Sequence, residues 1–80
     1  MKFKTIGCIA DNTKTAQNAL NKLINSYSFI DLDRESDKKN IDLIIVLGGD
    51  GFMLHSMHKY MNYRAPFYGI NYGSVGFLLN

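Results

Sequence analysis

The densest apolar stretch of the chain is Leu43-Ile44-Ile45-Val46-Leu47, which is hydrophobic at every successive position. Strand side chains alternate between faces, so an unbroken run predicts a strand over residues 41–47 that is covered on both sides, as in a parallel sheet. Residues 2–10 predict a shorter strand, with Phe3, Ile6, Cys8 and Ile9 supplying the apolar surface. Asp11-Asn12-Thr13 is suited to capping a helix N-terminus. Ala16, Ala19, Leu20, Leu23, Ile24 and Tyr27 then recur on one helix face, with Lys14, Gln17, Asn18, Asn21, Lys22 and Asn25 opposite. Residues 28–30 predict a short strand, and the mixed charges of 31–40 predict an exposed loop. Met53, Leu54, Met57 and Met61 predict a helix of about three turns whose methionine stripe packs into the core. Pro66 breaks that pattern, and Phe67-Tyr68-Gly69-Ile70 reads as another strand.

Strands alternating with helices predict an α/β fold with parallel strands joined by right-handed crossovers. Ligands of such open sheets bind beyond the carboxyl ends of the strands. Two glycine-rich loops, Gly48-Gly49-Asp50-Gly51 and Asn71-Tyr72-Gly73-Ser74-Val75-Gly76, each follow a predicted strand. Both are therefore expected at the same edge, forming one site. In the first, glycine supplies the backbone angles and close approach of a tight strand-to-helix turn. The turn displays one side chain, the carboxylate of Asp50, beside bare amides of the kind that attract phosphate oxygens. Two readings stay open. Asp50 deprotonates a hydroxyl that attacks a phosphoryl group, or it caps the helix that starts near Phe52. The second loop offers Asn71 as donor and acceptor and Phe77 as a stacking surface, or it is a turn whose Phe and Leu close the core.

Composition narrows the class. Eighty residues make at most one small domain, and 46% hydrophobic with 20% charged residues is a globular balance. A net charge of +2 gives no electrostatic case for nucleic acid or an anionic membrane. No run approaches the ~20 apolar residues of a membrane span, and the first residues lack the apolar core of a signal peptide. A cytoplasmic location is the expectation. Cys8 is the only cysteine, so it forms no internal disulfide, and its place in a strand predicts a buried structural thiol. His55 and His58 have a spacing that can bind metal, but no third ligand is nearby, and a solvent-facing pair is expected.

Taken together, Gly48-Gly49-Asp50-Gly51 and Asn71-Tyr72-Gly73-Ser74-Val75-Gly76-Phe77-Leu78 resemble the paired motifs of the NAD kinases. The first motif alone is shared with lipid kinases and phosphofructokinases. The second, at this distance, is characteristic of NAD kinases, and the resemblance covers the whole chain. It implies a Rossmann-like, three-layer parallel sheet, with residues 1–80 forming the amino-terminal nucleotide-binding domain of a two-domain kinase. It implies phosphorylation of the adenosine ribose 2′-hydroxyl of NAD, with ATP as donor and a divalent metal cation, Mg2+ by preference. Asp50 is then the proton acceptor, and Gly48 and Gly49 make phosphate or backbone contacts. Gly51, Leu54, His55, Asn71, Gly73 and Phe77 join Asp50 in binding NAD. Phe52 departs from the small polar residue that many relatives carry there. The β-rich carboxy-terminal domain of the family does not occur within these residues, so the chain is expected to be weak or inactive alone. Its expected partners are a complementary carboxy-terminal fragment or a second copy of itself. A lipid- or sugar-kinase relative and a non-catalytic nucleotide-binding fragment are the alternatives.

Overall fold

The computed structural model describes residues 3–34 and 40–71, together with the backbone of 77–79. Strand β1 (Ile6–Ala10) leads into helix α1 (Lys14–Tyr27), and β2 (Ile30–Asp31) follows. Strand β3 (Leu43–Leu47) leads into helix α2 (Asp50–Lys59), then a 3-10 turn at Met61–Tyr63, β4 (Phe67–Ile70) and β5 (Phe77–Leu79). One sheet holds all five strands in the order β2-β1-β3-β4-β5. β1 to β4 are mutually parallel. β5 runs antiparallel to β4, pairing Gly69 with Phe77 and Phe67 with Leu79. Residues 71–76 are too few for the crossover that a parallel partner needs, so a strand beside β4 has to return in the opposite direction.

The apolar run of β3 is used on both faces, as its pattern predicts. Ile45 and Leu47 join Cys8 and Ala10 of β1 beneath Ala16 and Leu20 of α1. Ile44 and Val46 join Ile9 and Phe67 against Met53 and Tyr60 on the α2 side. The result is a three-layer α/β fold of Rossmann-like form. Thr13 caps α1, its Oγ1 accepting from the Ala16 N–H at 3.2 Å. Tyr27, on the predicted core face, is instead exposed in the last turn, where it stacks on Phe29 at 5.3 Å. Asp42 ties β3 to the start of β1 by accepting from the backbone N–H of Lys4 and Thr5, both at 2.8 Å.

The methionine stripe of α2 divides. Met53 is buried and Met57 packs partly inward, but Leu54 and Met61 are exposed. At 100° per residue, Met57 follows Met53 on one face of α2, Leu54 lies about a quarter turn from Met53, and Met61 has passed into the 3-10 turn. Leu54 and Met61 line an open cavity of about 520 Å³ together with Met57, His58, Ala65 and Phe67. Cys8 is fully buried, as predicted, and its Sγ–H donates to the Ile30 carbonyl at 3.4 Å. Burial, reinforced by Asp31, pushes its thiol up to about 12.

Candidate functional site

The carboxyl ends of β1, β3 and β4 lie side by side. From β1 the connection leads outward to β2; from β3 it leads the other way, to β4. The switch point of the sheet therefore falls between β1 and β3, where ligands of doubly wound sheets bind. Backbone bonds close this edge: the Asp11 N–H donates to the Leu47 carbonyl at 2.9 Å and the Gly48 N–H to the Ile70 carbonyl at 3.1 Å. Both glycine loops thus leave the sheet at one edge.

The first turn is tighter than its sequence predicts. α2 begins at Asp50, two residues before Phe52, and Gly49 is its N-cap. Gly49 has φ −86° and ψ −179°, extended backbone that any residue adopts. Left-handed geometry is therefore not what requires glycine there. Gly48 is required by close approach: a Cβ would fall 2.8 Å from Phe52 Cδ2 and 3.1 Å from Asp11 Cβ. At Gly49 and Gly51 a Cβ would meet nothing within 4 Å. Among the described residues, nothing fills the space over those two glycines, at the end of α2 where its backbone N–H groups start. A helix N-terminus has such groups free of intrahelical partners and carries a partial positive charge.

Asp50 occupies the first helical position and is exposed. No side-chain hydrogen bond caps α2, so the capping reading of Asp50 does not hold. Its carboxylate oxygen Oδ1 instead accepts a hydrogen bond from Asn71 Nδ2 at 3.1 Å. Asn71 is the residue directly after β4. The structure therefore brings together one polar residue from each loop, with the Gly48 turn beneath them.

Leu54 lies one turn beyond Asp50 on the same side of α2 and is exposed, open to a ligand. His55 and His58 are both exposed, as expected. Gly73 and the side chain of Phe77 lie outside the described residues. Sequence reading missed two features of this edge. Asp11, taken there as part of a capping cluster, stands at the end of β1 against Gly48, while Thr13 alone makes the cap. Asn71 touches Asp50 itself. The first was legible in principle, because Asp11 directly follows an apolar strand; the second needed the β3–β4 pairing.

Among the described residues no three His, Cys, Asp or Glu side chains converge to hold a metal ion. No helix among them is long and apolar enough to cross a membrane.

A parallel α/β sheet that reverses its strand order, with a glycine turn and an exposed carboxylate at its carboxyl edge, belongs to the doubly wound class whose ligands bind at that edge. The chain belongs to the NAD kinase family: residues 2–80 match its ATP-NAD kinase N-terminal domain. It is similar to the NAD kinase of Rhizobium meliloti, 46% identical over 79 residues, which is 99% of this chain and 28% of that protein. It is also similar to the NAD kinases of Cereibacter sphaeroides and Rickettsia bellii, 43% and 34% identical over 80 residues, all of this chain and 29% of each relative. The chain thus spans less than a third of the length of these curated relatives. No solved structure matches it significantly.

Proposed function

We propose that this chain is the nucleotide-binding portion of an enzyme that transfers the terminal phosphoryl group of ATP to the adenosine ribose 2′-hydroxyl of NAD, giving NADP and ADP. The observation that carries the reading is Asp50. It is an exposed carboxylate at the first position of α2, beside two glycines with open space over them, and it does not cap the helix. An anion placed there without a capping role suits a proton acceptor. As the ribose oxygen forms its bond to the γ-phosphorus, the bond from that phosphorus to the β,γ-bridging oxygen breaks, and that oxygen leaves with the electron pair as part of ADP. The hydroxyl proton passes to Asp50.

The free N–H groups of α2 suit a phosphate oxygen of the dinucleotide. The exposed apolar side chain of Leu54, one turn away, suits the flat adenosine portion. His55, on the next position of the helix, is exposed, and it stays in the proposed NAD surface through the family motif. Gly73 and Phe77 remain part of the proposed NAD surface through the family motif. A divalent cation such as Mg2+ would travel with the ATP phosphates.

The reading locates the enzyme in the cytoplasm. It also makes the catalytic unit larger than these residues: one wall of a cleft neither excludes water nor positions both substrates. The remainder of the cleft comes from a carboxy-terminal portion, joined or separate. The test is product analysis. The chain is assayed with NAD, ATP and Mg2+ alone and fused to the carboxy-terminal remainder of the Rhizobium meliloti relative, and NMR locates the new phosphate. The fusion is expected to phosphorylate the adenosine 2′ position and the isolated chain to be at least a hundredfold slower. A fusion that folds, binds NAD and forms no NADP contradicts the proposal.

A further inference from the structure

We propose that Asn71 is the positioning residue of Asp50: its side-chain amide holds one carboxylate oxygen so that the other faces the reacting hydroxyl. This rests on the reading of Asp50 as proton acceptor and adds a role that the family motif does not give Asn71, which the resemblance places on the wall of the NAD site.

The geometry points there directly. The 3.1 Å contact joins Asn71 Nδ2 to Asp50 Oδ1. A carboxylate only accepts, so the amide meets it through its NH2 group. Among the described residues this is the one hydrogen bond made by the Asp50 side chain. An exposed aspartate at the start of a helix otherwise turns freely about two side-chain bonds. The donor, by contrast, is anchored. Asn71 follows Ile70, which pairs with Leu47 in the β3–β4 register, and the Ile70 carbonyl accepts from the Gly48 N–H. Two strand ends locked by backbone bonds thus set the separation between the amide and the carboxylate. Oδ1 is occupied and Oδ2 is left to take a proton.

The chemistry of the donor also fits. A neutral amide orients the carboxylate without adding charge. A lysine or arginine in its place would stabilise the ionised form and make it a poorer proton acceptor. Asparagine is short enough to act from the residue directly after the strand, where the backbone is still held by the sheet.

The fusion described above, carrying Asn71→Ala, provides the kinetic test. Removing one hydrogen bond to a charged group that the solvent reaches predicts a fall in kcat of about tenfold, with KM for NAD within about twofold. In an Asp50→Asn background the same substitution should change the residual rate by less than about twofold, because the group it positions is gone. A rise in KM at unchanged kcat would make Asn71 a substrate contact and overturn the proposal, as would an equal fall in both backgrounds. An Asp50→Asn fusion as active as the parent overturns the proton-acceptor reading itself, a separable result. The contact is tested independently by 15N NMR of the 80-residue chain. The Asn71 side-chain amide resonances should shift in Asp50→Asn and stay in place in His55→Ala. Resonances that ignore Asp50→Asn refute the positioning role whatever the kinetics.

Discussion

Replacing Gly51 with alanine should make the protein more stable and a worse binder. Gly51 is the second residue of α2, and a Cβ there meets nothing within 4 Å. No steric cost opposes the substitution, and alanine in place of a helical glycine is worth about 0.5–1 kcal/mol. For a chain of this size that corresponds to a rise of about 2–8 °C in Tm. The new methyl group stands beside the backbone amides at the start of α2, the place assigned to the dinucleotide. NAD affinity should fall at least about tenfold, roughly the 1.4 kcal/mol of one hindered polar contact. Gly48→Ala is the internal control. Its Cβ lands 2.8 Å from Phe52 Cδ2, which can yield, and 3.1 Å from Asp11 Cβ, which is tied to the end of β1. Overpacking of this kind costs about 1–3 kcal/mol, so Tm should drop. Thermal unfolding by circular dichroism and calorimetric titration with NAD measure both effects. A lower Tm for Gly51→Ala refutes the open-space reading. A higher Tm with unchanged NAD binding refutes the view that this glycine keeps the amides accessible.

Two further outcomes follow from the core. Burial lifts the Cys8 thiol from 9.0 to about 12, with Asp31 adding to it, and lifts Tyr60 from 10.0 to about 12, with Asp33 adding to it. Both shifts favour the neutral form in the fold, so their stabilisation is complete below the unfolded values and is lost as pH rises towards 12. Urea unfolding should show stability falling above about pH 9, by up to about 1.4 kcal/mol per pH unit for the fully buried Cys8, with Tyr60 adding a smaller, solvent-screened decline above about pH 10; a flat profile from pH 9 to 11 contradicts this. Ser56 is fully buried in α2, and its Oγ has no hydrogen-bond partner among the described residues. Ser56→Ala should leave stability unchanged or raise it by about 1 kcal/mol, because an unpartnered hydroxyl loses its hydration for nothing in return. A Tm drop of more than about 5 °C would show that the hydroxyl has a partner.

The architecture was legible because its dominant signals are local. Five consecutive apolar residues, three of them β-branched and closed by two glycines, mark β3 as a strand covered on both faces, and Ala16 through Ile24 carry a clear helical period. Two glycine loops after two such strands then implied a shared edge. What stayed hidden depends on pairing. The direction of β5 follows from the short connection before it, once β4 is known to be its neighbour. The strand order, and with it the switch point between β1 and β3, is set by which edges meet, and no single segment encodes that. Leu32 lies in the charged stretch that reads as an exposed loop, yet it is buried, its side chain filling the space over Gly7. One apolar residue among charges has no periodicity to reveal it. Within the site, the chain shows that Asp50 stands alone in a glycine turn. It does not show that the helix starts at Asp50 itself, which removes the capping role, or that Asn71 reaches it. A spacing of 21 residues between those two becomes a 3.1 Å contact only because Gly48 and Ile70 end neighbouring parallel strands.

The central claim is that the Asp50 carboxylate accepts the proton of the ribose 2′-hydroxyl. Its most direct test is the initial rate of NADP formation by the Rhizobium meliloti fusion carrying Asp50→Asn, with NAD binding measured on the same sample. Asparagine matches aspartate in shape and leaves the glycine turn intact, but it is not a base. Loss of at least about a hundredfold in kcat, with NAD affinity within about threefold of the parent, is the predicted result. A variant that binds NAD and forms NADP at the parent rate contradicts the claim.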